Sequence, residues 1–175
     1  MHINDLIKGL AGGEHEVYPA ATDADVAMTE AAVARKLPSS FKSFVTTFSN
    51  GAYLYLLQEV SAVGNGNDQI LPIQSIRSVE GDPEESIPFR EGGQTQFKHL
   101  IPFGLDHNGN AWCFLSNEMD SSGECPVAYL DCQGRKLYGR LDGFSSWLKI
   151  LVDKQDEVIR TLYDDDVIND ELSLG

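Results

Sequence analysis

Two apolar segments of the chain face each other across an Asn-Gly turn, and this arrangement restricts the fold more than any other feature of the sequence. LIPF precedes the turn at residues 100–103, and AWCFL follows it at residues 111–115. Asn108-Gly109 suits a type I′ turn because both residues tolerate positive φ, and the twist of such a turn matches that of paired strands. The sequence therefore predicts an antiparallel β-hairpin within a sheet.

The same turn also matches the start of a calcium-binding loop, which would define a different protein. Such a loop needs oxygen ligands at positions 1, 3 and 5, a glycine at position 6 and a glutamate at position 12. Asp106, Asn108 and Asn110 supply the first three ligands, but Ala111 occupies position 6 and Asn117 position 12. The flanking segments are strand-like and not helical. The hairpin interpretation is preferred, and no metal ion is predicted here.

A helix is predicted ahead of this sheet. Thr22 is a suitable N-cap, and Asp23 and Asp25 lie in the first turn, where the helix dipole favours negative charge. The helix is expected to continue to Leu37, because the residue before a proline is disfavoured in the helical region.

Two further segments carry apolar residues at i, i+3, i+4 and i+7. After Pro38 these residues are Phe41, Phe44, Val45 and Phe48, and after Asp142 they are Phe144, Trp147, Leu148 and Leu151. This spacing is typical of a helix that packs one side on a core. Gly51 is expected to end the first of the two helices in the left-handed conformation.

The remaining segments complete an α+β pattern. Residues 53–57 have strand composition, residues 70–79 form a possible strand interrupted at Pro72, and residues 127–138 read as a second hairpin. The acidic excursion (residues 79–91) is expected to be an irregular surface segment. Strands bracketed by helices predict an α+β fold, with a central, mainly antiparallel sheet flanked by N-terminal and C-terminal helices.

The length of 175 residues is sufficient for one substantial core and short for two. Residues 1–153 are predicted to form one domain, and residues 154–175 an acidic C-terminal helix or tail. No stretch approaches the roughly 20 apolar residues that cross a bilayer, and the N-terminus does not resemble a secretory signal. Three cysteines, an odd number without close spacing, fit a reducing compartment. A cytoplasmic location is expected.

Charge restricts the partners of the chain. It carries 27 acidic residues against 13 Lys and Arg, a net charge of −14. The acidic excursion contributes five acids and one base, and the segment from Asp153 to the end contributes eight acids and two bases. Such a surface repels phosphate, so nucleic acid and anionic membranes are disfavoured and a basic partner is favoured. The acidic runs serve either this partner or solubility alone.

A search for catalytic patterns gives no constellation. Cys113, Cys125 and Cys132 lack the close spacing of a zinc site. Ser145, in the stretch GFSSW, only half matches the strained elbow of a serine hydrolase and lies at a helix start. Paired carboxylates such as Glu84-Glu85 lie in polar runs, whereas general acid–base catalysis needs a carboxyl group that is shielded from water. No enzyme activity, cofactor or metal is predicted, and a hydrolase remains the weaker alternative.

Several segments together, in this order, resemble a known family. They are the helix led by Thr22 with Glu30 in it, LPSSFKSFVTTFSNGAYLY, LIPFGLDHNGNAWCFL, PVAYLD and GFSSWLKILV. Their order over residues 22–152 resembles the SUKH superfamily, the group of the yeast cell-wall-synthesis regulators and their bacterial relatives. The chain departs from the family pattern in two ways. Phe144-Ser145 reverses the usual Ser-Phe order, and the acidic excursion lengthens the middle of the chain.

The resemblance implies a noncatalytic protein-binding module with an α+β fold. Bacterial members of the family resemble immunity proteins that neutralise polymorphic toxins, many of them nucleases, whereas the yeast relatives resemble regulatory adaptors. The expected partner is therefore a protein, namely a basic toxin domain. The alternative function is that of a regulatory adaptor. The sequence leaves the oligomeric state open. The residues expected to contact the partner are Glu80, Asp82, Glu84, Glu85, Asp106 and His107.

Overall fold

The computed structural model describes residues 2–76, 79–106 and 109–154 of the chain. The helices are α1 (Ile3–Leu10), α2 (Asp23–Val33), α3 (Ser39–Thr47) and α4 (Phe144–Lys154). The strands are β1 (Glu16–Val17), β2 (Ala52–Leu54), β3 (Gln58–Val60), β4 (Ser86–Pro88), β5 (Gln94–Gln96), β6 (Leu100–Leu105), β7 (Ala111–Leu115), β8 (Val127–Asp131) and β9 (Lys136–Leu141). The predicted α+β fold with helices flanking antiparallel sheets is confirmed.

The sheet is built from two antiparallel groups joined side by side. Strands β6, β7, β8 and β9 form a meander, and β1, β2 and β3 form a smaller sheet. The two groups meet where the Ser61 amide just after β3 donates to the Phe103 carbonyl of β6 at 2.7 Å. The predicted hairpin is confirmed, since Leu100 pairs with Leu115 and Leu105 with Ala111 on either side of the turn.

The helices pack on one face of this sheet through an aromatic cluster. Phe103 of β6 stacks on Phe114 of β7 with 4.2 Å between ring centroids. Phe41 of α3 and Phe144 and Trp147 of α4 contact Phe103 from the helix layer. The apolar stripes predicted for α3 and α4 therefore face the core, as their spacing requires.

The opposite face of the meander is buried as well, and this differs from the sequence expectation. Every residue of β7 is buried, and Cys113 belongs to a second core cluster with Ile87 of β4 and Leu137 of β9. The acidic excursion is therefore not an irregular surface segment. It contains β4, which pairs with β5, and the resulting hairpin covers the second face of the sheet.

Helix α2 begins as predicted and ends earlier. The Thr22 side chain and the Asp25 side chain form a reciprocal capping box. The expected end at Leu37 is wrong, because Ala34 adopts a left-handed φ of 54° and stops the helix after Val33. The Glu30 carboxylate accepts a hydrogen bond from the Leu37 amide at 2.8 Å, which holds the chain in the path that leaves the helix.

Other local predictions require correction. Residues 70–76 form a 3₁₀ turn at Ile73–Ser75 in place of the expected strand. Gly51 has a φ of 78° but lies beyond the C-cap of α3, which is Phe48. Helix α1 was not predicted at all, although Ile3, Leu6 and Leu10 form its buried side. The predicted tail helix lies outside the described residues.

The strand predicted at residues 53–57 is confirmed only for Tyr53 and Leu54, which lie in β2, because the chain then reverses in a tight turn. The Leu57 amide donates to the Leu54 carbonyl at 3.1 Å, and the two central residues, Tyr55 and Leu56, have φ of 53° and 60°. Both values lie in the left-handed region, where residues with a Cβ are strained. His15 supports the turn, because its Nδ1 accepts from the Tyr55 amide at 2.8 Å and its Nε2 lies 2.8 Å from the Leu10 carbonyl.

Leu56→Gly is expected to stabilise the protein by about 1 kcal/mol, because glycine adopts positive φ without the strain of a Cβ. Urea unfolding measures the change. Leu56→Ala is the matched control, since it shortens the same side chain but keeps the Cβ, and it should give no stabilisation. If both variants destabilised the protein equally, packing of the Leu56 side chain and not backbone strain would dominate at this turn.

Candidate protein-binding surface

The meander brings two hairpin turns to the same end of the sheet. The turn between β6 and β7 lies beside the turn between β8 and β9, because alternate connections of an antiparallel meander share an end. Asn110 joins them directly, since its Oδ1 accepts a hydrogen bond from the Cys132 amide at 2.9 Å. Arg135, in the second turn, donates to the Cys132 carbonyl at 3.4 Å. This end of the sheet gathers the candidate acidic residues that the structure describes.

Asp106 is half-buried and forms part of the turn. Its Oδ1 accepts from the Asn110 amide at 3.0 Å, and its Oδ2 accepts from the Tyr129 hydroxyl. The carboxylate therefore holds the hairpin in shape, and any contact with a partner would add to this role. His107 lies outside the described residues.

Arg135 ties the acidic excursion to the sheet. Its guanidinium forms an ion pair with the Glu85 carboxylate, donates to the Glu80 carbonyl at 3.2 Å and lies 5.1 Å from the centre of the Phe97 ring. The excursion is thus held against the β8–β9 turn by an ion pair and a backbone hydrogen bond, and Phe97, just after β5, packs on the same guanidinium. It presents its acids from a fixed backbone.

The four acids of this segment that were predicted to contact a partner differ in how far they are neutralised. Glu85 is paired with Arg135, and Glu84 is paired with Lys98 at 3.0 Å. Asp82 accepts from the Glu84 amide at 2.9 Å, which caps a turn. Glu80 and Asp82 are exposed, and in ranges 79–106 and 109–154 no Lys or Arg forms an ion pair with either. The unpaired negative charge of the excursion therefore lies at these two residues and at Glu91, which is also exposed.

A second polar surface was missed by the sequence interpretation. Strand pairing places Glu16 of β1 opposite Tyr53 of β2, and Tyr53 opposite Glu59 of β3. The Tyr18 hydroxyl donates to Glu16 and the Tyr53 hydroxyl donates to Glu59, both at 3.3 Å. We call these four residues the open face. The sequence signal is weak, because it depends on pairing with β1, a strand of two residues.

The open face is electrostatically unusual. Burial raises the pKa of the Glu59 carboxyl above its ordinary value. Burial also raises the pKa of Tyr53 and of Tyr18, and the negative charges of Glu59 and Glu16 add to both shifts. Glu59, Tyr53 and Tyr18 therefore share one negative environment, in which Glu59 is partly buried, whereas Glu16 is exposed.

Glu59→Gln is expected to increase the free energy of unfolding at neutral pH. A carboxyl with a raised pKa binds its proton more tightly in the native state than in the unfolded chain. The free energy of unfolding therefore falls as the pH rises, starting in the ordinary pKa range of glutamate and continuing through the raised pKa of Glu59. The glutamine removes this loss. The gain should vanish below about pH 3.5, where the carboxyl is protonated in both states.

Urea unfolding of wild type and variant at neutral and acidic pH measures this effect. Glu91→Gln is the control, because Glu91 is an exposed carboxylate of the acidic excursion, and its replacement should change stability little. A loss of stability for Glu59→Gln at neutral pH would show that the Glu59 carboxylate is stabilising and contradict the account.

A cleft of about 400 Å³ lies between the N-termini of α1, α3 and α4 and is lined by Ser145 and Ser146. Glu124 also lines it, but its carboxylate accepts hydrogen bonds from the Ser40 amide and hydroxyl, both at 2.8 Å, and so caps α3. His2 is engaged similarly, with its Nδ1 accepting from the Asn4 amide. Glu124 and His2 are therefore used as helix caps. Asp142 is the second acid of the cleft, and among the described residues none of these three groups is hydrogen-bonded to Ser145 or Ser146.

The thiols are not activated. Burial raises the pKa of Cys125 to about 12 and that of Cys132 to about 11, and it raises the pKa of Cys113 well above the ordinary value. Within the described ranges, no three His, Cys, Asp or Glu side chains converge as metal ligands. No described helix is both long and apolar enough to cross a bilayer.

The fold and this surface define an α+β module with charged, hydrogen-bonded loops. The model of the SMI1/KNR4 family (SUKH-1) matches residues 20–150, about three quarters of the chain. The chain therefore belongs to the SMI1/KNR4 family, which confirms the resemblance found in the sequence. No curated protein matches the chain significantly.

Proposed function

We propose that this protein is an immunity protein of the SMI1/KNR4 family, which neutralises a basic toxin domain in the cytoplasm by direct, noncatalytic contact. The observation that carries the proposal is the anchored acidic excursion. A segment with five acids and one base is held on the sheet by Arg135 and by the buried Ile87, so that Glu80 and Asp82 face solvent from a fixed backbone.

Electrostatics supports a partner with positive charge. A net charge of −14 accelerates the encounter with a basic protein and slows the encounter with nucleic acid or an anionic membrane. A basic nuclease domain has the complementary charge, because its own substrate is a polyanion. We propose Glu80, Asp82, Glu84, Glu85 and Asp106, with His107 next to Asp106 in the sequence, as the residues that contact this partner.

The proposal predicts that a neighbouring gene encodes a basic toxin domain, and co-expression with that domain tests the function. The wild-type chain should restore growth of cells that express the toxin, and the two proteins should elute together. Failure of both would contradict the immunity function and favour a regulatory adaptor.

Charge steering is tested separately by the association rate. Glu80→Lys should slow association about fivefold at low salt, and the difference should shrink as salt is added. Asp68→Lys is the matched control, because Asp68 is an exposed acid in the loop after β3, outside the acidic excursion. Equal effects of the two reversals would show that net charge matters and the acidic excursion does not.

A further inference from the structure

The sheet face opposite the helices has two halves with different surroundings. The β4–β5 hairpin covers the half formed by β6–β9. In the half formed by β1–β3, Ala52, Leu54 and Val60 belong to the helix-side core. Because successive residues of a strand point to opposite faces, Tyr53 and Glu59 point away from that core. Both side chains remain partly exposed on that side.

The open face presents a partner with two rings and two carboxylates. In the described residues, no Lys or Arg forms an ion pair with Glu16 or Glu59. Tyrosine hydroxyls are their hydrogen-bond donors. A partly buried carboxylate without a cation is better satisfied by a charged donor than by water or a phenol.

Arginine fits this combination of groups better than lysine does. Its planar guanidinium forms two parallel hydrogen bonds to a carboxylate and stacks on aromatic rings, whereas an ammonium group does neither as well. Tyrosine is also enriched at protein interfaces, where it contributes large contact areas at low entropic cost.

An apolar group borders the same half-sheet. Leu56, at the tip of the β2–β3 turn, is 47% exposed. This side chain gives a binding segment an apolar contact beside the charged ones, and such mixed surfaces characterise protein interfaces.

We propose that the open face is the docking site for an arginine-bearing segment of a basic protein. The identity of that protein as a toxin domain rests on the proposed function. The site itself does not, because charge and ring chemistry define its ligand whichever basic protein supplies it.

The test uses a capped peptide of alternating arginine and glycine, titrated into the full chain and followed by NMR. The backbone amide shifts should saturate and centre on Tyr53 and Glu59. The double variant Tyr53→Leu/Glu59→Gln should bind about tenfold more weakly. The same peptide with citrulline, which keeps the shape and loses the charge, should cause no saturable shifts, and a lysine peptide should bind more weakly than the arginine peptide.

The acidic excursion and the C-terminal segment provide a demanding internal comparison, because both carry more negative charge than the open face. Shifts centred on either segment, or unchanged affinity in the double variant, would overturn the proposal. The control variant Glu80→Gln/Asp82→Asn removes two charges elsewhere and should leave the peptide shifts at Tyr53 in place.

A second arm separates this proposal from the proposed function. If the wild-type chain protects cells from the toxin and the Tyr53→Leu/Glu59→Gln variant protects equally, the docking site is wrong and the immunity function stands. If the wild-type chain gives no protection but the arginine peptide binds at Tyr53, the docking site stands and the immunity function fails.

Discussion

Phe103→Ala is expected to lower the free energy of unfolding by about 4 kcal/mol, the range of large-to-small changes at fully buried aromatic positions. Phe103 is 0% exposed and stacks on Phe114 with an angle of 13° between the ring planes. It also makes edge contacts with Phe144 and Trp147 of α4. The alanine leaves a cavity between the sheet and two helices, which rigid strands cannot close.

Phe103→Leu is the matched control for this variant. It keeps most of the volume and should cost about 1.5 kcal/mol. Denaturant unfolding monitored by far-UV circular dichroism and by tryptophan fluorescence measures both, because Trp112 and Trp147 lie in the same cluster. A cost below about 1.5 kcal/mol for the alanine variant would contradict the assignment of Phe103 to the centre of the core.

Ile87→Ala is expected to cost about 3 kcal/mol and to loosen the acidic excursion selectively. Ile87 of β4 is 0% exposed, and it shares the second core cluster with Leu100, Cys113 and Leu137. The hairpin that carries it has only three paired residues in each strand. Because so short a hairpin is unstable alone, its attachment depends on this buried side chain.

Hydrogen exchange resolves where the stability is lost. Amides of β4 and β5 should exchange much faster in Ile87→Ala, whereas amides of β7 should follow global unfolding. Ile87→Val, which removes one methyl group, should cost about 1 kcal/mol and leave the hairpin protected. Uniform acceleration in all strands would show that the hairpin does not open as a separate unit.

The hairpin of β6 and β7 was predictable because two independent signals coincide there. Asn108-Gly109 indicates a chain reversal, and the apolar runs on both sides indicate paired strands. The apolar stripes that include Phe41 and Phe144 were also predictable, because large aromatic residues at helical spacing are usually buried against a core. Family membership followed from the order of these same segments.

Elements that lack such signals were missed. The turn at Tyr55-Leu56 adopts positive φ without Gly or Asn, and Ala34 ends α2 in the same way, so neither position carries a recognisable residue. The β4–β5 hairpin has mostly polar strands. Its necessity was visible only indirectly, in the unbroken apolar run AWCFL, which is typical of a strand buried on both faces.

The candidate surfaces show the same limit. The sequence identified the acids of the excursion, but not that Glu85 pairs with Arg135, a residue 50 positions away. The open face depends on a cross-strand row of Glu16, Tyr53 and Glu59. Such a row exists only once the strand register is known, so composition and local pattern do not reveal it.

A titration of toxin activity against this protein tests whether neutralisation occurs by contact without catalysis. At toxin concentrations far above the dissociation constant, the residual activity should fall linearly and reach zero at one molecule of this protein per molecule of toxin. It should return when the complex is dissociated by denaturant and the toxin is refolded alone. Inactivation by much less than one equivalent, with no recovery after separation, would show that the chain acts as an enzyme and would contradict the account.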